Sequence, residues 1–142
     1  MILAFSRFAQ TVLVRRTLRE REIMPNTYKL KRPPVDTPRI YETEEIESDS
    51  KLVTAHYFLP GTCWDYYVIE YDSETDEMFC WGEVVPGLGE YGYTRISDLE
   101  EVEMPVKIRI NNMIVGTLNS RVEYDEHWTP RSISEVLEAR NR

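Results

Sequence analysis

WDYYVIEY at Trp64–Tyr71 and MFCWGEVV at Met78–Val85 are rich in aromatic and branched residues, and the polar segment DSETDE at Asp72–Glu77 lies between them. Aromatic and β-branched residues favour strands, and a short polar segment between two strands is typical of a hairpin. The two stretches therefore predict an antiparallel pair. A turn centred between Glu74 and Thr75 places Val68 opposite Trp81, Ile69 opposite Cys80 and Tyr71 opposite Met78.

This register predicts which side chains share a face of the hairpin, since alternate residues of a strand point to the same side. The first face carries Tyr67, Ile69, Tyr71, Met78 and Cys80. The second face carries Trp64, Val68, Phe79 and Trp81, with Glu70 and Glu83 among them. Because both faces are largely apolar, the sheet needs cover on both, from helices or from a partner.

The segments that follow the hairpin predict a helix and two more strands. Ser97–Glu100 has the spacing of a capping box and predicts the start of a short helix. Pro105–Asn111 alternates, which predicts a strand with Val106, Ile108 and Ile110 inward and with Lys107 and Arg109 outward. Met113–Leu118 is expected to return as another strand after a turn at Asn111-Asn112.

The last segment predicts a C-terminal helix. Thr129-Pro130 is expected to start it, and Ile133, Val136 and Leu137 form its apolar stripe. The predicted fold class is therefore α+β: an antiparallel β-sheet with short helices, including the C-terminal helix. A chain of 142 residues favours one domain, expected at residues 52–142.

The residues before Leu52 divide into two parts. Residues 1–23 form a basic extension with three competing interpretations: a targeting peptide, a segment on an anionic membrane surface, or an untranslated stretch preceding a start at Met24. A plain helix or tail is a further alternative. Residues 24–51 contain four prolines and then five acids, which predicts an extended and acidic linker.

Charge and composition limit the possible partners. The formal net charge is −8, but residues 1–23 hold five arginines and two acids, whereas the remainder holds 12 bases and 23 acids. Such a field repels nucleic-acid phosphates and favours a partner with a basic surface. No apolar run is long enough to cross a membrane, and two cysteines suit a reducing cytoplasm. We expect a cytoplasmic protein that binds neither membrane nor nucleic acid directly.

Three patterns are candidate sites of chemistry, and each has a simpler explanation. GLGEYG at Gly87–Gly92 matches a dinucleotide pattern, but a strand rather than a helix is expected after it. Asp72, Glu74, Asp76 and Glu83 fit a calcium-loop template that lacks its glycine. Four residues are of types that bind zinc, but their spacing along the chain is not that of a zinc site. These are His56, Cys63, Cys80 and His127.

His127 beside Trp128 is the most enzyme-like position, as a possible acid or base. No nucleophile motif accompanies it. We therefore predict no catalytic residue, no metal site and no cofactor, and an enzyme is the less favoured class.

A binding role is the better interpretation of this composition. Clusters of acids, such as Glu42–Asp49 and Glu123–Glu126, either keep the surface solvated or imitate the phosphate spacing of nucleic acid. Trp64, Tyr66 and Trp81 are candidate partner-binding anchors, with Glu70 and Glu83 at their rim. The alternative for the three aromatic residues is a place in the core.

Parts of the chain resemble a small domain family of unknown function that is carried by bacterial plasmids, integrative elements and phages. The resemblance lies in AHYFLPGTCWDYY at Ala55–Tyr67, FCWGEVV at Phe79–Val85, GEYGYTRISDLE at Gly89–Glu100, and Thr129–Val136. It covers about residues 52–136, while Met104–Asn111 lacks a proline-rich stretch of the family and Met113–Arg121 resembles an insertion. The resemblance implies a mobile-element origin and an intracellular setting, and it implies no activity or site residues.

Three functions follow as expectations. The first is a small acidic accessory protein of a phage or mobile element that binds a host protein with a basic surface. The second is a small metal-dependent hydrolase that uses Asp and Glu. The third, direct nucleic-acid binding, requires an ordered basic segment at residues 1–23.

Overall fold

The structure is a computed structural model that describes residues 27–141. The predicted extension at residues 1–23 lies outside the described residues. A short 3-10 helix at Ser48–Ser50 precedes the first strand. Nine strands and two α-helices follow in the described residues: β1 (Leu52–Val53), β2 (Ala55–Phe58), β3 (Asp65–Asp72), β4 (Glu77–Glu83), β5 (Glu90–Arg95), α1 (Ile96–Glu100), β6 (Met104–Ile110), β7 (Met113–Ser120), β8 (Glu123–Tyr124), β9 (Arg131–Ser132) and α2 (Ile133–Arg140).

The central element is a five-stranded antiparallel sheet in the order β5-β4-β3-β2-β8. Strands β1 and β9 form a separate pair, and β6 and β7 form a separate hairpin. The prediction of an antiparallel sheet with short helices, one of them at the C-terminus, is confirmed. The sheet dominates the structure, because the two α-helices have only five and eight residues.

The predicted register of the central hairpin is confirmed only next to its turn, where Tyr71 pairs with Met78. Farther along, Val68 pairs with Cys80, and Ile69 is an extra residue at a bulge. A bulge inserts one residue into one strand and shifts the pairing by one position beyond it. The predicted partners of Val68 and Ile69 are therefore wrong, as are parts of the predicted faces.

The bulge distributes the aromatic residues differently between the two faces of the sheet. The α1 face, covered by α1, has a core of buried residues that includes Trp64, Tyr66, Val68, Met78, Cys80, Ile96 and Leu99. The α2 face, covered by α2, has a second core made of Val53, Tyr67, Ile69, Trp81, Ile133 and Val136. Both faces are covered from within the chain, as a sheet that is apolar on both sides requires.

Residues 27–51, predicted to be a linker, pack against the domain instead. Leu30 is buried in the core of the α1 face. Its backbone N–H donates to the Glu100 carboxylate at 2.8 Å, and Arg32 donates to the same oxygen at 2.7 Å. Residues before Leu52 therefore contribute to the core of the α1 face. The proline-rich composition predicted an extended segment. It does not reveal that Leu30 in this segment is bound by the carboxylate of Glu100, 70 residues later.

The same carboxylate explains why the predicted capping box is wrong. Helix α1 begins at Ile96, one residue before the predicted cap at Ser97, and its N-cap residue Arg95 makes no side-chain capping bond. Burial opposes the charge of Glu100, but the bonds from Arg32 and Leu30 outweigh it, so the pKa of Glu100 is lowered. Glu100 therefore binds the segment around Leu30 and Arg32, and no side-chain bond caps helix α1.

The C-terminal helix begins later than predicted. It starts at Ile133, with Ser132 as N-cap and a capping box between Ser132 and Glu135. Thr129-Pro130 precedes it. The predicted apolar stripe is confirmed, because Ile133 and Val136 are buried on the α2 face and Leu137 packs against them.

Candidate functional site

The most distinctive surface of the described chain is the hairpin of β6 and β7, which we call the arm (Met104–Ser120). Two consecutive residues with positive φ, Asn111 (51°) and Asn112 (65°), join its strands. A two-residue turn of this kind matches the natural twist of a hairpin, and Asn tolerates the left-handed conformation. The predicted turn and both predicted strands are confirmed.

Cross-strand pairing places most of the arm's large apolar side chains on one face. Ile110 pairs with Met113, and Val106 pairs with Leu118. Side chains that pair directly across two strands lie on the same face. Ile108 shares that face because it is two residues from Ile110 on the same strand. The arm therefore has one almost entirely apolar face.

This apolar face is exposed, contrary to the prediction that Val106, Ile108 and Ile110 point inward. Val106 is half-buried, but Ile108 is 42% and Ile110 59% exposed. Alternation in a sequence defines a face but does not supply the element that covers it. The arm's other exposed large apolar residues, from 50% to 69% exposed, are Met113, Ile114, Val115 and Leu118.

The opposite face of the arm carries both of its bases, together with the apolar Ile114. It carries Lys107 paired with Thr117, and Arg109 paired with Ile114. The whole arm contains these two bases and no Asp or Glu. The arm is therefore a basic segment in an otherwise acidic chain.

The base of the arm is fixed to the sheet. Ser120 donates a hydrogen bond from its hydroxyl to the Pro60 carbonyl at 2.7 Å. Val106 lies over Gly61, where a Cβ atom would come within 2.7 Å of the valine Cγ1. Gly61 also has a φ of 81°, so glycine is required there on both counts. The arm therefore starts from a rigid junction and displays its exposed faces beyond it.

The predicted partner-binding residues lie elsewhere. Trp64 and Tyr66 are 3% and 1% exposed in the core of the α1 face, and Trp81 is 9% exposed in that of the α2 face. These positions agree with the core alternative that the sequence left open. Glu70 is also buried, at 3%, and its carboxylate accepts hydrogen bonds from the backbone N–H groups of Tyr41 and Thr43.

Glu83 belongs to a charged network that the sequence did not reveal. Its carboxylate accepts from Arg140, which also donates to Asp65 at 2.5 Å and to the Tyr67 hydroxyl at 3.0 Å. The other oxygen of Asp65 is 2.6 Å from His56 Nε2. The network therefore joins β2, β3, β4 and α2 at one end of the α2 face.

His56 is held between two carboxylates. Its Nδ1 lies 2.9 Å from Asp125 Oδ2, and its ring stacks on Tyr67 with centroids 4.7 Å apart. Each ring nitrogen thus has a carboxylate oxygen within hydrogen-bond distance, and both contacts are internal to the chain. The arrangement supports a structural ion network rather than acid–base chemistry.

The carboxylate of Asp125 gives this network a dependence on pH. Burial opposes its charge, but the hydrogen bonds from His56 and from the His127 backbone outweigh burial, so the pKa of Asp125 is lowered. A lowered pKa in the folded state contributes stability above the unfolded value of about 3.9, and this stability is lost as pH falls through the folded value.

We expect Asp125→Asn to lower the free energy of unfolding by about 1–2 kcal/mol at pH 7, because a hydrogen-bonded charge is lost. The difference from wild type should shrink as the pH falls from about 5 to 3. Urea unfolding at several pH values measures it. Asp36→Asn, at an exposed position, is the matched control. A difference that stays constant down to pH 3 would contradict the assignment.

The remaining sequence candidates are not assembled into sites. Strand β5 begins at Glu90 within the glycine-rich pattern, where dinucleotide binding needs a helix. Gly89 is instead required by packing, since a Cβ there would lie 2.0 Å from the Trp81 ring. Asp76 pairs with Arg32 at 2.8 Å, and His127 is exposed. Within residues 27–141, no three His, Cys, Asp or Glu side chains are placed to hold a metal ion.

Comparison with known proteins assigns no family. No protein-family model matches the sequence. No match was found among curated proteins or among solved structures. Among the described helices, none has both the length and the apolar character needed to cross a membrane.

Two features were not predicted from the sequence: the exposure of the arm and the position of His56 between two carboxylates. Only the arm had a signal in the sequence. The absence of acids from Met104–Ser120, in a chain with 25 of them, marks the arm as different from its surroundings. His56 had no such signal, because its partners Asp65 and Asp125 are nine and 69 residues away. His127 was the histidine predicted to be most enzyme-like, and it lies two residues from Asp125, a partner of His56.

Proposed function

We propose that this chain acts by binding another protein and that the arm is its contact surface. The observation that carries the proposal is the uncovered apolar face of the arm. Contiguous apolar surface of this kind on a soluble domain is typical of interaction sites. The fixed base of the arm supports the same role, because a preorganised surface loses little conformational entropy on binding.

Two means of contact are open to the arm. Its apolar face provides the water-excluding centre of an interface, and Lys107 and Arg109 supply charge nearby. In addition, β6 and β7 pair only with each other among the described strands. An outer strand edge that is free in this way can accept a further strand.

The rest of the proposal rests on charge. Outside the arm, the described residues contain nine bases and 23 acids. The acidic body, and not the basic arm, is the part that suits a host partner with a basic surface, and it supports a role as an accessory protein in the cytoplasm of the cell that holds a phage or mobile element. No grouping of side chains in residues 27–141 supports the alternative of a metal-dependent hydrolase.

Photo-crosslinking tests the role of the arm. A benzophenone side chain replaces Met113 at the tip of the arm, and in a matched variant it replaces Leu88, which is 54% exposed in the body. We expect illumination of cells that produce the full chain to give a discrete crosslinked species from the Met113 variant and not from the Leu88 variant. No discrete species from Met113, or the same pattern from both positions, would overturn the proposal.

A further inference from the structure

The exposed large apolar residues of the described chain fall into two groups. Six lie on the arm, and Leu88 stands apart from both groups. The second group lies in residues 35–52, which we call the acidic end, and consists of Val35, Tyr41, Ile46 and Leu52. Exposed apolar side chains that lie together are suited to the centre of an interface, and Val35 and Ile46 line one cleft.

The two groups have opposite electrostatic surroundings. Around Tyr41 and Ile46 lie Glu44, Glu45 and other exposed acids, six in all between Asp36 and Asp49. The arm has two bases and no acid. Lys107 and Arg109 lie on the face opposite the apolar residues, but the arm is only one sheet thick. Both cations therefore remain within about one Debye length, ~8–10 Å, of a surface that packs on the arm.

The acidic end also contains a cleft. Val35 and Ile46 line a cleft of about 440 Å³, together with Glu42 and Arg39. Its backbone is fixed, because Glu70 holds the N–H groups of Tyr41 and Thr43. It is therefore a preformed surface with an apolar centre and an acidic rim, which complements an apolar and basic arm.

The arm and the acidic end belong to opposite ends of the molecule. The base of the arm is fixed at Pro60 and Gly61, before β3 begins. The acidic end is fixed at Glu70 and Tyr71, where β3 ends. A strand rises about 3.3 Å per residue, so the five-residue step from Asp65 to Glu70 places roughly 17 Å of β3 between the two anchor regions. Within one copy both surfaces stay exposed.

We propose that the arm of one copy docks on the acidic end of a second copy, and that the second copy's arm docks reciprocally on the first. A two-fold axis brings both complementary pairs together in one closed dimer. The two contacts bury the apolar face of each arm against the exposed apolar residues of an acidic end, whereas a single contact leaves one arm and one acidic end in water. This inference rests on the proposed function and names the partner of the arm as a second copy of the chain.

Sedimentation velocity of the purified full chain, from about 1 to 100 µM, tests the inference. We expect a dimer whose Kd weakens at least tenfold between 50 and 500 mM salt, because opposite charges face each other. Ile110→Ser/Met113→Ser and Tyr41→Ser/Ile46→Ser should each weaken it at least tenfold. Leu88→Ser is the matched control and should leave the Kd unchanged. Circular dichroism confirms that each variant is folded.

A charge exchange separates this arrangement from other dimers. Lys107→Glu/Arg109→Glu and Glu44→Lys/Glu45→Lys should each weaken the dimer, and a chain that carries all four changes should regain it. A monomeric wild-type chain at 100 µM would overturn the inference. A dimer that depends on the arm but not on Tyr41 and Ile46 would overturn it too, since the arms would then pack on each other.

The failure of this inference is distinguishable from failure of the proposed function. A Met113 crosslink to a different protein, with a monomeric purified chain, overturns the second copy as partner and leaves the arm as a binding surface. The absence of both a crosslink and a dimer overturns the two together.

Discussion

Replacing Arg140 with Met is expected to lower the free energy of unfolding by about 3 kcal/mol, because breaking a buried ion pair from one side leaves uncompensated charge. Arg140 is 19% exposed and pairs with Asp65 and with Glu83, which are 19% and 14% exposed. Burial opposes its charge, but the bonds to Asp65 and Tyr67 outweigh burial, so the pKa of Arg140 is raised. Urea unfolding at pH 7 measures the loss.

Two variants show whether the network is the cause. Arg131→Met removes the same charge close to α2, where the guanidinium is only stacked on Trp128 at 4.2 Å, and we expect a loss below about 1 kcal/mol. Arg140→Lys keeps the charge but not the fork of two donors, and it should fall between wild type and Arg140→Met. Equal losses from Arg131→Met and Arg140→Met would show that overall charge, and not the network, is responsible.

Replacing Glu70 with Ala is also expected to lower the free energy of unfolding by about 3 kcal/mol. The carboxylate accepts from the N–H groups of Tyr41 (2.9 Å) and Thr43 (3.0 Å) and from the Thr43 hydroxyl. Each buried donor that loses its partner costs about 1–3 kcal/mol. The loss should appear in urea unfolding. Limited proteolysis should also become faster within residues 38–46, because these bonds hold that segment to β3.

The matched control for Glu70 is Glu74→Ala in the same hairpin. Glu74 is exposed, and surface substitutions typically change stability by less than about 0.5 kcal/mol. If Glu70→Ala left both stability and the rate of cleavage unchanged, the carboxylate would not be the anchor of the acidic end. That result would also remove the preformed surface on which we propose that the arm docks.

The central hairpin shows how far sequence reasoning reached. Composition placed β3 and β4 within two residues of their observed ends, and the polar turn set the register at Tyr71 and Met78. The bulge at Ile69 was not predictable, because no glycine or proline marks that part of β3. That one residue moved Val68 to the face of Cys80 and so divided the aromatic residues between two cores.

The polar contacts were less predictable than the strands. Glu100 fitted a capping box by local spacing, but Leu30 and Arg32 occupy its carboxylate. The sequence suggested His56 only as a possible zinc ligand, although the fold places it between Asp65 and Asp125. A hydrogen bond depends on distances of about 3 Å in space, and spacing along the chain carries this information only within a single helix or turn.

The sequence by itself determined the class of the fold, the positions of the main strands, the turn of the arm and its freedom from acids. These follow from local preference and from period-two alternation, which act over a few residues. Only the tertiary structure decided that the arm is left uncovered, that Trp64, Tyr66 and Trp81 are core, and that the segment before Leu52 packs on the core through Leu30. Burial depends on what other segments supply from a distance, so the same alternating strand is a core element or an exposed arm according to the chain around it.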